Sequence, residues 1–245
     1  ELNQVALACD IAAVLEEKDP LQRDEGVDLC IRIEKLRRFR KSSKLSGVWK
    51  RIDQISSSYR RLFKSEENNT HFDPYDAGLI LVFAYPERIA HSRPGNNAQF
   101  QLANGKIAMI GHKDDLAFEP WLAVANVNAR DGMGKIFLAA PLNPTDLQPF
   151  LETKEIVKWD SRTDEFTAST DLRIGNIILQ SKPLQNPDPK LKIEAICDAI
   201  RKDGKHLLDL NVEFQQLQSR VKSLSLWNKE KDYPDLDNEV LFDNA

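Results

Sequence analysis

The sequence predicts an α+β protein in three parts: an N-terminal helical bundle, a β module, and a small α/β C-terminal domain with terminal helices. Three observations support this prediction. Apolar residues recur at helical spacing in the first third of the chain, they alternate with polar residues from residue 88 onward, and helical spacing returns after residue 189. The predicted parts are residues 1–70, 71–150 and 151–245.

The composition is that of a soluble globular protein. The chain has 245 residues, 41% of them hydrophobic and 29% charged, so it can bury a substantial core. The longest apolar stretch, residues 78–84, is far too short to cross a bilayer, and no targeting segment is visible. We therefore expect a cytoplasmic location without a membrane partner. Because the first residue, Glu1, lies within an amphipathic pattern, we also expect a C-terminal fragment of a longer protein.

Three helices are predicted in the N-terminal part. The first extends from Leu2 to about Leu15, and the second covers Gly26 to Phe39. The third follows a capping serine, Ser42 or Ser43, and carries an apolar stripe with three- and four-residue spacing. This stripe is expected to be buried against another element. Its members are Leu45, Val48, Trp49, Ile52, Ile55, Tyr59, Leu62 and Phe63.

A fourth helix is predicted to lead into the β module. The pair Asp73-Pro74 is typical of a helix start, because the carboxylate can cap the first turn and proline is tolerated there. Pro86 ends the helix. Since residues 79–83 are apolar on nearly all sides, we expect this helix to lie inside, between the helical part and the β module.

Short strands separated by turn residues are predicted from Arg88 onward. The strongest hairpin signal is Asn104-Gly105 between two alternating segments, because both turn positions tolerate positive φ. This pattern favours a small antiparallel barrel of the oligonucleotide-binding (OB-like) type over a parallel sheet. Further strands are predicted at residues 121–128, 135–140, 156–159, 165–170 and 177–181.

Three aromatic residues of the β module are predicted to fill the barrel interior, because they alternate with polar positions beside Leu and Ile. The alternative is that they offer stacking platforms for bases. These residues are Phe100, Trp121 and Phe137.

Positive charge is concentrated in one short region. The net charge of the chain is −4, yet the segment from Glu34 to Lys64 contains eleven Lys and Arg and only two acidic residues. Such a segment either contacts phosphates or forms an ordinary solvated helix face, and the sequence leaves both alternatives open. The candidate nucleic-acid-binding residues are Arg37, Arg38, Arg60 and Arg61 in this segment, with Arg88, Arg93 and Lys106 in the β module.

Catalytic motifs are not evident in the sequence. A nucleotide-driven motor needs a glycine-rich loop followed by Lys and Ser/Thr. The nearest approach is Gly132 to Lys135, but Ala129 replaces the first glycine and Ile136 replaces the hydroxyl residue, so we predict a hairpin turn there. The three cysteines and four histidines lack metal-ligand spacing. We therefore assign no catalytic residue, no metal and no cofactor to this chain.

Three sequence blocks point to a family. They are residues 84–90, reading Ala-Tyr-Pro-Glu-Arg-Ile-Ala, residues 101–105, and residues 119–122 continuing to 138–141. Together they resemble the C-terminal region of HrpB-type DEAH-box ATP-dependent helicases. The resemblance implies that residues 1–70 form a helicase-associated helical bundle, that 71–150 form an OB-like module with its leading helix, and that 151–245 form an HrpB-type C-terminal domain.

The resemblance further implies an accessory C-terminal fragment whose motor domains lie upstream. The fragment would guide single-stranded nucleic acid, RNA by resemblance, and contact the motor domains in cis. ATP and Mg²⁺ would belong to that motor. The residues themselves leave a second alternative, a protein-interaction module whose basic helices face an acidic partner or the motor without binding nucleic acid. A third, an unrecognised hydrolase, requires a pocket with convergent titratable groups.

Overall fold

The structure is a computed structural model that describes residues 4–21, 25–42, 46–128, 132–160, 162–163, 165–203, 210–229 and 231–243. Helices and strands are mixed along the chain, which confirms the predicted α+β class. The helices are α1 Val5–Glu16, α2 Leu29–Lys41, α3 Gly47–Leu62, α4 Pro74–Ala84, α5 Pro189–Asp203, α6 Val212–Trp227 and α7 Asn238–Asp243. The strands are β1 Ile89–Arg93, β2 Asn96–Leu102, β3 Ile107–Met109, β4 Trp121–Asn128, β5 Gly134–Pro141, β6 Glu152–Asp160, β7 Glu165–Ile174 and β8 Ile177–Pro183.

The chain divides into two compact units. The first comprises Glu1–Glu152 together with Leu172–Leu179, and the second comprises Thr153–Asp171 together with Gln180–Ala245. The first unit contains α1 to α4 and β1 to β5, and each unit is described separately below. The division into three domains that the sequence suggested stays a prediction.

Of the two helix caps that the sequence predicted in the first unit, the cap of α4 is confirmed and the cap of α3 is not. Asp73 accepts a hydrogen bond from the Tyr75 amide at 3.0 Å, with Pro74 in the first turn, so α4 begins where the sequence placed it. Asp28 caps α2 by accepting from the Cys30 amide at 2.8 Å. The predicted cap of α3 is corrected, because the helix starts at Gly47 and Ser42 instead ends α2.

The apolar stripe of α3 is buried only in part. Ile52 is fully buried, and Trp49 packs edge-on against Phe39 with ring centroids 5.3 Å apart. At the C-terminal end of the helix, by contrast, Leu62 and Phe63 are 71% and 63% exposed, so the expectation of complete burial was wrong there. Leu45, predicted at the start of the stripe, lies outside the described residues.

Helix α4 lies against the barrel rather than being enclosed on all sides. Ala77, Gly78, Leu81 and Val82 are buried between the helical part and strands β4 and β5. Phe83 on the opposite side is 60% exposed, which corrects the prediction that the whole helix lies inside. Helix α4 is therefore buried on one side and exposed to solvent at Phe83 on the other.

Strands β1 to β5 close into a barrel in the order β1-β2-β3-β5-β4, which confirms the predicted barrel. Neighbours are antiparallel except β3 and β5, which run parallel. The parallel pair has a simple cause. Five strands arranged in a ring cannot alternate direction at every neighbour, so one pair must share a direction.

The barrel has its own apolar interior. Phe100 on β2 faces the small Ala108 on β3 across the pair, and both are fully buried, as the sequence predicted for Phe100. The residues that point inward after the hairpin turn are Ala108 and Ile110. In the turn itself Gly105 has φ +88°, whereas Asn104 keeps an ordinary φ and its side chain accepts from the Lys106 amide at 3.0 Å.

The second unit contains part of the three-stranded sheet β6-β7-β8 and the C-terminal helices. Trp159 packs edge-on against Phe166 with centroids 4.8 Å apart, and Ser181 donates to Asp171 at 2.6 Å. On α6, Gln218 donates to the Leu236 carbonyl at 2.6 Å. Throughout the described part of the chain, every helix is too short or too polar to span a membrane.

The contact between α4 and β5 generates a stability prediction. A Cβ at Gly78 would lie 1.9 Å from the Pro141 carbonyl oxygen, so Gly78→Ala must push the helix off the barrel. We expect the free energy of unfolding in urea to fall by about 2 kcal/mol or more. Gly111→Ala is the matched control, because nothing lies within 4 Å of its Cβ position. Equal stability of the two variants would contradict the proposed close contact.

Candidate nucleic-acid interface

Three arginines of the basic segment surround a single buried carboxylate. Asp10 of α1 is 1% exposed and accepts from Arg37 Nε at 3.0 Å and from Arg40 Nη2 at 2.8 Å. On α3, Ser56 Oγ donates to Asp10 at 2.7 Å, and Arg60 Nη1 approaches it at 3.5 Å. We call these residues the Asp10 cluster; the cluster joins α1, α2 and α3.

Further carboxylates balance the charge of the cluster. Arg40 also donates to Asp53 at 2.6 Å, and Arg60 donates to Glu67 at 3.2 Å. Burial alone would lower the pKa of Arg40, but its hydrogen bonds to Asp10 and Asp53 outweigh this effect and raise the pKa, so it stays charged. Three arginines thus meet three carboxylates inside or at the edge of the bundle.

This arrangement changes which cations of the helices can meet a phosphate. Arg37 and Arg60 are only 5% and 6% exposed, and their guanidinium groups are occupied within the cluster. The exposed cations of the helical part, which solvent ions can reach, include Arg38 on α2 and Arg61 on α3. The sequence missed the pairing because Asp10 is 27 and 50 positions away from Arg37 and Arg60.

The predicted cations of the β module are also divided between two environments. Arg88 is half-buried, donates to the Ala125 carbonyl at 2.8 Å and lies 4.5 Å from the centre of the Tyr85 ring. It therefore joins the turn before β1 to strand β4. Arg93 and Lys106 are exposed, at the end of β1 and after the turn that follows β2.

One side of the barrel carries polar and cationic residues. Strand register places Gln99 opposite Met109 and Met109 opposite Lys135, so side chains from β2, β3 and β5 share a surface. Arg93 adjoins this surface, because its Nη1 donates to Gln99 Oε1 at 3.4 Å. We define the open face by the residues Arg93, Gln99, Gln101, Ile107, Met109, Lys135 and Phe137.

Helices cover the other side of the barrel. The outward-pointing Ile89, Trp121 and Ala123 are buried in the apolar cluster that also contains residues of α1, α2 and α4. Trp121 therefore lies beneath the helices rather than in the barrel interior where the sequence placed it. It stacks on His91 with ring centroids 4.2 Å apart, and desolvation lowers the pKa of His91, which favours the neutral imidazole.

The open face combines cations with an aromatic ring. Phe137 is 37% exposed, and the Lys135 ammonium lies 5.8 Å from the centre of its ring. The prediction that Phe137 fills the interior was wrong, because Ile136 points inward and its neighbours in an alternating strand must point outward. Phosphate neutralisation and base stacking are the two contacts such a surface can make with a single strand.

The hairpin between β7 and β8 borders the open face. Gln101 Nε2 donates to the Asn176 carbonyl at 3.0 Å, and the Asn176 amide donates to the Ala103 carbonyl at 2.7 Å. The contact is close, since a Cβ at Gly175 would lie 2.4 Å from the Ala103 oxygen. The open face is therefore bounded at the β2–β3 turn by residues 172–179 of the same compact unit.

Carboxylates come together in a cleft of about 420 Å³ beside α2, where Asp28 and Asp114 lie near Asp115. Asp114 accepts from the Val27 amide at 2.8 Å and from the Leu116 amide at 3.1 Å, and Asp28 caps α2. Burial raises the pKa of Asp28. These carboxylates hold the backbone, and the described residues contain no His, Cys, Asp or Glu group suited to a metal ion.

Comparison with known proteins identifies proteins to which this chain is similar. Residues 150–184 match the family described as "ATP-dependent RNA helicase HrpB, connector region". The ATP-dependent RNA helicase HrpB of Escherichia coli K12 is 26% identical over 246 residues, which cover 98% of this chain. The chain is homologous to HrpB-type helicases. It spans only 28% of the length of that HrpB protein.

Solved HrpB structures agree with this assignment. The crystal structure of the E. coli DExH-box NTPase HrpB matches with a TM-score of 0.60 and 26% identity, covering 97% of this chain and 28% of that one. The crystal structure of the E. coli DEAH/RHA helicase HrpB matches with a TM-score of 0.62 and 25% identity, covering 99% and 29%. The HrpB connector match, residues 150–184, includes the hairpin that borders the open face.

The Asp10 cluster generates a second stability prediction. Asp10→Asn removes the charge that three buried arginines share, so we expect the free energy of unfolding to fall by about 3–5 kcal/mol. Glu17→Gln removes the acidic partner of the exposed Arg51 and should cost below about 1 kcal/mol. Urea unfolding followed by far-UV circular dichroism measures both. A loss at Asp10 no larger than the loss at Glu17 would refute a structural role for the cluster.

Proposed function

We propose that this chain is the strand-guiding accessory region of an HrpB-type ATP-dependent helicase. It would bind single-stranded nucleic acid, with RNA favoured because the homologous E. coli protein is called an RNA helicase. Motor domains in cis would hydrolyse ATP with Mg²⁺ and move the strand, and this chain would hold it. Such a role fits the cytoplasm.

The observation that carries the proposal is homology over 98% of the chain to a helicase. The open face supports it, because Arg93, Lys135 and Phe137 offer charge and a ring on one surface of an OB-like barrel. The remaining surface is acidic overall, as the net charge of −4 requires. We therefore expect weak binding that depends on a few local cations and falls as salt rises.

A protein-interaction module without nucleic-acid binding is the second candidate. The observation that supports it is that three arginines of the basic segment, Arg37, Arg40 and Arg60, already have acidic partners within the chain. The exposed Arg38 and Arg61 would then face an acidic surface of the motor domains. Charge reversal at these two positions alone separates the candidates, because it leaves the buried cluster intact.

Binding to a fluorescein-labelled 20-nucleotide oligo(U) tests the strand-guiding proposal. Arg93→Glu with Lys135→Glu should weaken binding about tenfold in low salt, because two phosphate contacts become repulsive. Lys190→Glu with Lys202→Glu in α5 is the matched control for charge and should leave the dissociation constant nearly unchanged. Fluorescence anisotropy across a salt series gives both values. Absence of salt-sensitive binding by the wild-type chain would refute the proposal.

Base stacking on the open face has its own test. Phe137→Leu keeps an apolar side chain but removes the ring, so oligo(U) should bind about fivefold more weakly with an unchanged salt slope. Phe118→Leu is the matched control, because Phe118 is 78% exposed outside the open face. Equal losses in the two variants would argue against a stacking platform at Phe137.

A further inference from the structure

A groove runs along α2 and contains none of the residues that define the open face. Glu34, Arg37, Arg38 and Lys41 follow the helical spacing i, i+3, i+4 and i+7, so they share one side of the helix. The segment 69–72 forms the opposite wall. The space between these walls is about 360 Å³ and is widely open to solvent. We call it the α2 groove.

The floor of the groove is held in place by buried contacts. The Arg37 guanidinium lies 4.9 Å from the centre of the Phe72 ring, and Arg37 Nη1 donates to the Thr70 carbonyl at 2.9 Å. The same guanidinium is fixed by the buried carboxylate of Asp10. A planar ring and a planar cation thus form a preorganised floor, with the exposed His71 edge-on to Phe72.

The wall opposite α2 is tied to the bundle by the arginines of the Asp10 cluster. Arg60 donates to Glu67, Arg40 approaches Asn69 Oδ1 at 3.5 Å, and Arg37 donates to Thr70. Little conformational freedom would therefore be lost when a ligand enters, which favours affinity.

The rim of the groove carries two exposed cations. Within the part of the chain that the structure describes, the side chains of Arg38 and Lys41 have no acidic partner at ion-pair distance. They are three residues apart on α2, which sets their Cβ atoms about 5–6 Å apart. Glu34 at the N-terminal end of the groove carries the opposite charge.

We propose that the α2 groove is a nucleotide-binding subsite for single-stranded nucleic acid, with phosphates at Arg38 and Lys41 and a base against His71 and Phe72. The proposal rests on the strand-guiding function and adds a second contact beyond the open face. A nucleic-acid strand is favoured over an acidic peptide because a ring-lined floor beside a pair of cations matches a base next to its phosphates.

The position of Glu34 determines which half of the groove can hold phosphates. A phosphate near this carboxylate is repelled, so the strand backbone passes the C-terminal half of α2 and avoids its N-terminal half. Removing the charge with Glu34→Gln should therefore strengthen binding. A gain of affinity is a sharper test than a loss, because a damaged fold does not produce it.

The experiment measures anisotropy of labelled oligo(U) with the full 245-residue chain across a salt series. Arg38→Ala with Lys41→Ala should reduce the slope of log K against log salt by about 1.4, since each single-strand phosphate contact contributes about 0.7. His71→Ala should weaken binding about threefold without changing the slope. Glu34→Gln should tighten binding about twofold in low salt. Lys50→Ala on α3 is the control for the loss of one exposed cation outside the groove and should change none of these values.

The outcomes separate this subsite from the strand-guiding function itself. If Arg93 and Lys135 variants weaken binding while the groove variants behave like Lys50→Ala, the subsite is refuted and the function stands. If wild-type chain binds no oligo(U), both are refuted. In a competition experiment, polyglutamate is added at a charge concentration equal to that of oligo(U). If polyglutamate displaces oligo(U) from the wild-type chain but not from the Arg38→Ala, Lys41→Ala variant, the groove binds an acidic protein partner. That result would overturn the proposal.

Discussion

The helical part of this protein depends on one buried carboxylate. Burying an ion is costly unless its hydrogen-bonding capacity is filled, and Asp10 meets this condition with three arginines and a serine from two other helices. The arginines then use their remaining donors on Asn69, Thr70 and Glu67. A single charge thereby orients α1, α2, α3 and the segment that follows α3, including the walls of the α2 groove.

Two features of the fold were predicted correctly from local signals in the sequence. Asp73-Pro74 predicted the start of α4, and the alternation around Phe100 predicted a buried strand position. The exposed side of α4 and the outward Phe137 depend on which neighbours cover each face, which no local pattern encodes. The pairing of Asp10 with Arg60 is of the same kind, although an aspartate among buried apolar positions of α1 was a usable signal.

Partial covering of the barrel explains why it has an open face at all. Strand β4 and the nearby part of β1 pack under the helices through Ile89, Trp121 and Ala123. Among the described residues of the first unit, the outward positions of β2 and β3 are less buried and hold Gln99, Gln101 and partly exposed apolar residues instead. The polar character of these positions is therefore a consequence of fold geometry.

Net charge is a poor guide to the partner of this chain because several buried arginines already have acidic partners within the chain. Once Arg37, Arg40 and Arg60 are paired internally, the cations available in the first unit include Arg38, Lys41 and Arg61 on the helices and Arg93 and Lys135 on the barrel. At physiological salt, exposed charges interact over about 8 Å, so distant carboxylates do not cancel such local groups. Each of these separated cations can add only a modest local attraction for an anionic ligand.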